Sequence, residues 1–208
     1  DRQVQQILAN IDLDLARQVG ANLGIEVPDL TLDYKKTAVE KSAKLSFLAF
    51  PPQDIQGRKV AVLIHNLVKS DALEAMKNWA IKEGVTLHLL APSLAPVKDH
   101  QDSIITADGM QMAEPSIAYD AVIIPDGDNL NAVMQDGVTR HYLLEAYKHL
   151  KPIAFLGNKS DLLEPLGLVP DEGTLVGDEF QPIAEKFKNL IMAHRVWSRE
   201  PIAAHIPA

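Results

Sequence analysis

At 208 residues, with 47% hydrophobic and 23% charged, the chain has the make-up of one well-buried globular domain carrying an appendage. A formal net charge of -8 with scattered rather than clustered basic residues argues against a nucleic-acid surface, which needs Lys and Arg grouped to displace phosphate counterions. The lack of cysteine excludes disulfides, thiolate metal sites and thiol nucleophiles together, and the longest apolar runs, such as Val60 to Ile64, are too short for a transmembrane helix.

The chain begins at Asp1 without an initiator Met or a leader, which reads as a processed product or a fragment, with a cytoplasmic home as the default expectation. Residues 3 to 23 place Val4, Ile7, Leu8, Ile11, Leu15 and Val19 at helical spacing. The pattern predicts one amphipathic helix ended by Gly24, with that stripe buried. From Glu26 to Arg58 the periodicity fades. Pro28, Pro51 and Pro52 punctuate this stretch and Lys35, Lys36, Lys41 and Lys44 decorate it, so residues 28 to 58 are expected to form a connecting arm laid over a surface.

After Gly57 the pattern changes to alternating strands and helices. Lys59 to His65 reads as a buried strand, and Ala72, Leu73, Ala75, Met76, Trp79 and Ala80 as the apolar stripe of a helix ended by Gly84. Val85 to Ala91 follows as a strand, which makes a parallel crossover unit. Asp108-Gly109, between two short β-prone runs at 104 to 112, predicts a hairpin turn. Ala121 to Pro125 reads as a strand leading through Asp126-Gly127-Asp128-Asn129 to a helix from about Val138 to Leu150. Ile153 to Gly157 is the central strand, residues 167 to 177 a loop, and Ile183, Phe187, Leu190, Ile191 and His194 mark a final helix. The expected class is α/β, doubly wound, with a mostly parallel sheet covered on both faces and preceded by a helix and an arm.

In such sheets chemistry is mounted where a strand turns sharply into a helix, and here Gly157 occupies that bend. Neither Leu156 nor Asn158 supplies a nucleophile, and Ser160, one turn further on, fits helix capping better than attack on a carbonyl. His141, Glu145 and His149, spaced by four, share a helical face as metal ligands would, but a solvated polar face opposite the Leu143, Tyr147 and Leu150 stripe accounts for them better. Asp126 and Asp128 fit an ordinary turn better than a calcium loop. Trp79 and Trp197 are expected to be buried in a core or an interface. No catalytic, metal-binding or cofactor-binding residue is therefore assigned.

Two resemblances follow from these residues. Tyr119-Asp-Ala-Val-Ile-Ile-Pro-Asp-Gly127 followed by Pro152-Ile-Ala-Phe-Leu-Gly157 resembles the paired strand motifs of the PfpI-like, class I glutamine amidotransferase-like superfamily. That superfamily has Pro-Gly-Gly after the first strand and a Cys at the elbow. Here Asp126 replaces the first Gly, Gly157 replaces the Cys, and Ala72 falls near the position of the acid in the first helix. The resemblance thus implies a degenerate elbow at Gly157 and a degenerate crevice at Asp126, Gly127 and Ala72.

Glu145 to Ala154, the tail Ala193-His-Arg-Val-Trp-Ser-Arg199 and the ending Ile206-Pro-Ala208 are similar to the C-terminal domain of large-subunit, clade 2 monofunctional catalases. Asn10 to Ala16 and Leu23 to Ile25 resemble the end of that enzyme's helical domain. This resemblance implies a flavodoxin-like domain at 59 to 208, a helix from the catalase helical domain at 1 to 27, and an arm tying the two together. It also implies a non-catalytic role stabilising a tetrameric peroxide-decomposing haem enzyme, with the catalase core and neighbouring subunits as partners and chaperone-like action on unfolded clients when the domain is isolated. Haem would belong to the parent. The tyrosinate ligand of catalases lies in an Arg-x-x-x-Tyr pattern, and none of Tyr34, Tyr119, Tyr142 and Tyr147 has an Arg four residues before it. The alternatives are a residual PfpI-like hydrolase or glyoxalase, and a module binding a small anion on the backbone N–H groups of Gly127 and Gly157.

Overall fold

The computed structural model describes residues 11–27, 42–46, 49–128, 135–157 and 163–207. The chain divides into two compact units, Asp1–Ala49 and Phe50–Ala208. In the first, helix α1 (Leu13–Leu23) begins at Asp12, whose extended backbone lets its carboxylate accept from the Asp14 and Leu15 N–H groups, both at 2.9 Å. It ends at Gly24 in the left-handed conformation, as the sequence predicts. The single helix expected over 3 to 23 is broken at Asp12, because a residue serving as N-cap cannot also be helical. Nor is the predicted stripe the buried one: Ala16 and Gly20 are buried while Ile11 and Leu15 are exposed. Val4, Ile7 and Leu8 lie outside the described residues, as do Pro28, Tyr34, Lys35, Lys36 and Lys41 of the expected arm.

The second unit carries a six-stranded, wholly parallel sheet of β1 (Lys59–Leu63), β2 (Thr86–Ala91), β5 (Gly109–Met110), β6 (Ala121–Ile124), β7 (Ile153–Leu156) and β8 (Thr174–Gly177), in spatial order β5-β2-β1-β6-β7-β8. A two-stranded antiparallel ribbon, β3 (Val97–Lys98) with β4 (Ile104–Ile105), stands apart from it. Period-two alternation then sorts the side chains to two faces. Val60, Val62, Ile123, Ala154 and Leu156 face α2 (Ser70–Glu83) and α4 (Gln181–Met192) through Met76, Trp79, Phe187 and Ile191. Ala61, Leu63, Val122, Ile124, Ile153 and Phe155 face α3 (Gly137–Lys148) through Leu143, Ala146 and Tyr147. Helices on both faces give the doubly wound, flavodoxin-like α/β architecture expected from the sequence.

Two local readings are corrected. Asp108-Gly109 forms no hairpin turn: the Asp108 N–H donates to Leu89 O and its carboxylate accepts from Leu89 N–H, both at 2.8 Å. That exchange stitches the segment to β2 and lets Gly109–Met110 continue as a parallel edge strand. The stretch expected as a loop, 167 to 177, contains β8, in register with β7 from Ile153–Thr174 to Leu156–Gly177. Trp197 is 62% exposed in this chain, whereas Trp79 is buried with its ring 5.1 Å edge-on from Phe180.

The tail is anchored by one side chain. A short helix, α5 (Glu200–Ala203), follows Arg199, which is 1% exposed. The Arg199 guanidinium donates to both Asp171 oxygens (2.6 and 2.8 Å) and to Lys151 O (2.7 Å), and lies 3.9 Å over the Tyr147 ring. Burial alone would push the Asp171 carboxyl up, but the Arg199 contact holds it below its ordinary value. A Cβ at Gly173 would meet the Val196 methyls at 2.2 and 2.7 Å and Arg199 Nη2 at 2.8 Å, so a side chain there would crowd both Val196 and this lock.

Candidate functional site: a closed elbow at the switch point

The order β5-β2-β1-β6-β7-β8 reverses between β1 and β6, and the carboxyl ends of strands at such a reversal form the usual ligand crevice of open α/β sheets. Four segments converge there: the turn after β1 leading to Lys69, Asp126 and Gly127 after β6, Gly157 after β7, and Asp178 after β8. Of these, Lys69, Asp126, Gly157 and Asp178, with Asp71, Ala72 and Ala75 of α2 and Phe180 before α4, line a cavity of about 550 Å³. Of the four positions expected to form the degenerate site, Gly157, Asp126 and Ala72 line this cavity, and Gly127, next to Asp126 in the chain, is not among its lining residues.

Gly157 sits at φ 88°, the left-handed backbone that an elbow requires. The space its side chain would need is taken by Asp126: a Cβ at Gly157 would overlap Asp126 Oδ1 and lie 2.6 Å from its Cγ. Asp126 is fixed in turn, pairing with the Lys69 ammonium and accepting from Gly127 N–H at 2.8 Å. Its hydrogen bond to Lys69 is the chief reason that the lysine is held above its ordinary pKa. Asp126 and Gly157 therefore form one packing unit. The Asp126 carboxylate occupies the volume that a side chain at position 157 would need.

This geometry also overturns the anion reading. The Gly127 N–H is donated to Asp126, and the Gly157 N–H to Gly177 O at 2.9 Å, so neither is free to hold a ligand. Asp71, Asp126, Asp178 and Glu179 outnumber Lys69 around the cavity, which would repel an anion further. Gly127 has its own reason to lack a side chain. A Cβ there would meet His65 Cε1 at 2.5 Å and Leu67 O at 2.8 Å. His65, buried at the end of β1, is held below the ordinary histidine pKa chiefly by that burial.

The remaining candidates fall elsewhere. Asn158, Ser160 and Asn129 lie outside the described residues. Among the described residues no three His, Asp or Glu side chains come within reach of one metal ion, so His141, Glu145 and His149 share a helix without sharing a site. Glu145 instead accepts from Ser116 Oγ at 3.2 Å, and Asp126, expected to serve an ordinary turn rather than a calcium loop, pairs with Lys69. Tyr119 donates to Glu114, and Tyr147 donates to Val169 O at 3.0 Å.

Sequence reasoning missed Lys69, whose only signal is its place just before α2, and the Arg199–Asp171 lock, which joins positions 28 residues apart. It also missed a cluster at the amino ends of β1, β6 and β7. There Lys151, 2% exposed, donates to Tyr119 O at 2.5 Å and has its pKa lowered to about 8 by burial and by Arg195. Arg58 pairs with Asp120 at 3.0 Å beside it.

The family of C-terminal domains found in long catalases matches residues 56–201. Catalase HPII of Pseudomonas aeruginosa is 38% identical over 210 residues, covering all of this chain and 29% of its own length. Catalase-B of Dictyostelium discoideum is 37% identical over all of the chain and 30% of its own length, and Catalase-2 of Bacillus subtilis is 27% identical over 95% of the chain and 29% of its own. The chain spans about 30% of the length of these curated relatives.

Proposed function

Because the chain belongs to the family of C-terminal domains found in long catalases, we propose that it is a non-catalytic domain of a large-subunit catalase, whose peroxide-decomposing haem core lies outside these residues. Its role is to stabilise the parent tetramer and partly cover the approach to the haem, with the catalase core and neighbouring subunits as partners. The observation that carries this reading is the closed elbow: the one bend where the fold would mount a nucleophile holds Gly157, and Asp126 fills the vacated volume. Apolar side chains left at the surface, Phe50 at 64% and Trp197 at 62% exposed, supply the kind of area that docking to a larger assembly buries.

The test compares the parent polypeptide with and without residues 50 to 208, measuring thermal inactivation of peroxide decomposition and assembly size by sedimentation. Faster inactivation or a smaller assembly on removal is expected, and an unchanged tetramer with unchanged heat resistance would end the proposal. The chain alone is expected neither to turn over hydrogen peroxide nor to develop a Soret band on haem addition.

A holding role for the isolated chain is the finer part of the proposal, resting on the same exposed apolar groups together with Ile11 and, on α1, Leu15 and Leu23. Light scattering of a heat-labile enzyme, with an inert acidic protein as control, should be suppressed by the chain, with client activity recovered afterwards. Scattering equal to the control would leave only the assembly role.

A further inference from the structure

At the edge of the sheet opposite the elbow, the amino ends of three neighbouring strands gather cations that the domain's proposed role does not use. The parallel register of β1, β6 and β7 sets Arg58, Asp120 and Lys151, each just before its strand, along one edge. The stretch after α4 reaches the same edge, because the Val196 N–H donates to Leu150 O at 2.8 Å and so brings His194 and Arg195 beside Lys151. Both helices that end here do so through a left-handed residue other than glycine, Leu150 after α3 at φ 60° and His194 after α4 at φ 69°. Glycine is the usual choice at that position, so a side chain is kept there at a cost.

The charges at this edge do not balance. Arg58 pairs with Asp120 at 3.0 Å, and the Lys59 N–H donates to the other Asp120 oxygen at 3.0 Å. Lys151 donates to Tyr119 O and Arg195 to His194 O, and among the described residues neither pairs with a carboxylate. Three cations, Arg58, Lys151 and Arg195, therefore face one carboxylate, in a chain whose formal net charge is -8. The carbonyl ends of α3 and α4 offset part of the surplus, since a helix C-terminus carries about half a negative charge. They do not remove it: Lys151 still has its pKa lowered to about 8, chiefly by burial and then by Arg195. Solvent reaches the arginines. Arg58 keeps 26% of its side chain in water and Arg195 is half-buried, whereas Lys151 is 2% exposed and supplies charge without contact.

We propose that this edge binds a phosphate group, held by the Arg58 and Arg195 guanidinium groups with Lys151 adding its charge from the interior. Three cations against one carboxylate leave a surplus of up to two, which a dianion neutralises. The planar fork of a guanidinium matches two oxygens of a phosphate, and an ion seated there restores the opposite charge that a buried ammonium otherwise lacks.

The test titrates the full chain with inorganic phosphate and with sulfate at neutral pH and constant ionic strength, chloride making up the balance, and reads the heat of binding and the melting temperature. Phosphate and sulfate are expected to give saturable heat and a higher melting temperature than chloride alone. Arg195→Gln, which leaves no carboxylate without a partner, should weaken phosphate at least about tenfold, the scale of one lost charge-assisted contact. Lys98→Gln removes the same charge from the β3–β4 ribbon and should bind phosphate as the parent does. Sulfate does not titrate near pH 8, the folded value of Lys151, so its binding there should draw protons onto the chain, and Lys151→Met should abolish that uptake. No saturation beyond chloride, phosphate binding that survives Arg195→Gln, an equal loss in Lys98→Gln, or sulfate binding without proton uptake would each overturn the site. A parallel arm with glycerol 1-phosphate separates the sources of the group: tighter binding than inorganic phosphate indicates a phosphate ester, equal or weaker binding the free ion.

Discussion

Lys69–Asp126 at the elbow and Arg199–Asp171 at the tail are both ion pairs between a strand-end carboxylate and a distant cation, yet they do opposite work. Lys69 keeps 42% of its side chain in water, so its pair is a screened contact whose importance lies in the volume that Asp126 occupies. The Arg199 side chain is fully buried, and its head group makes four hydrogen bonds and a ring contact, so its pair fastens the tail to β7, β8 and α3 together. The lesson is that burial and the number of satisfied donors, rather than charge, decide which pair the fold depends on.

That contrast can be broken most sharply at the tail. Arg199→Ala leaves Asp171 without its partner and Lys151 O without a donor, and should cost about 3–5 kcal/mol in denaturant unfolding, the range for breaking a buried pair from one side. The same variant should flatten the acid limb. The Asp171 pKa is depressed in the folded state, so its contribution is present above the unfolded carboxyl value and is lost as pH falls through the folded one. A loss below about 1 kcal/mol would place the two pairs in one class.

At the elbow the larger effect belongs to the glycine. Gly157→Ala is expected to cost about 1–3 kcal/mol through the positive φ and the overlap with Asp126. Adding Asp126→Gly should recover the part due to overlap and leave the backbone part. Additive costs in that double-mutant cycle would show that the two positions are not one packing unit.

Lys151 offers a pH-resolved comparison with the ion pairs. Its folded pKa of about 8 lies below the ordinary 10.5, so between these values the unfolded chain binds the proton that the folded one does not. Stability contributed by this group therefore rises with pH across that window. Melting curves of the chain should show this rise, and Lys151→Met should lack it. Lys69→Ala is expected to have the smallest effect, within about 1 kcal/mol, because the pair it removes is solvent-screened.

Much of the architecture is legible in the residues. The apolar stripe through Leu73, Met76, Trp79 and Ala80 with Gly84 behind it delivers α2, and the runs at 60 to 63, 121 to 124 and 153 to 156 deliver the central strands. The errors have two physical origins. Asp12 and Asp108 each look locally like a different element, and in each case a carboxylate bonded to backbone N–H groups settles the outcome. For β8 the deciding partner is β7, which no periodicity within four residues could announce.

The sequence by itself determined the class of sheet, the bend at Gly157 and the absence of a cysteine to stand there, because hydrophobic period and residue chemistry are local properties. Only the tertiary structure decided that Asp126 fills the volume beside Gly157, that Lys69 holds it in place and that Arg199 is the tail's anchor. Each of those joins positions far apart in the chain, and what a side chain does there depends on which others share its space.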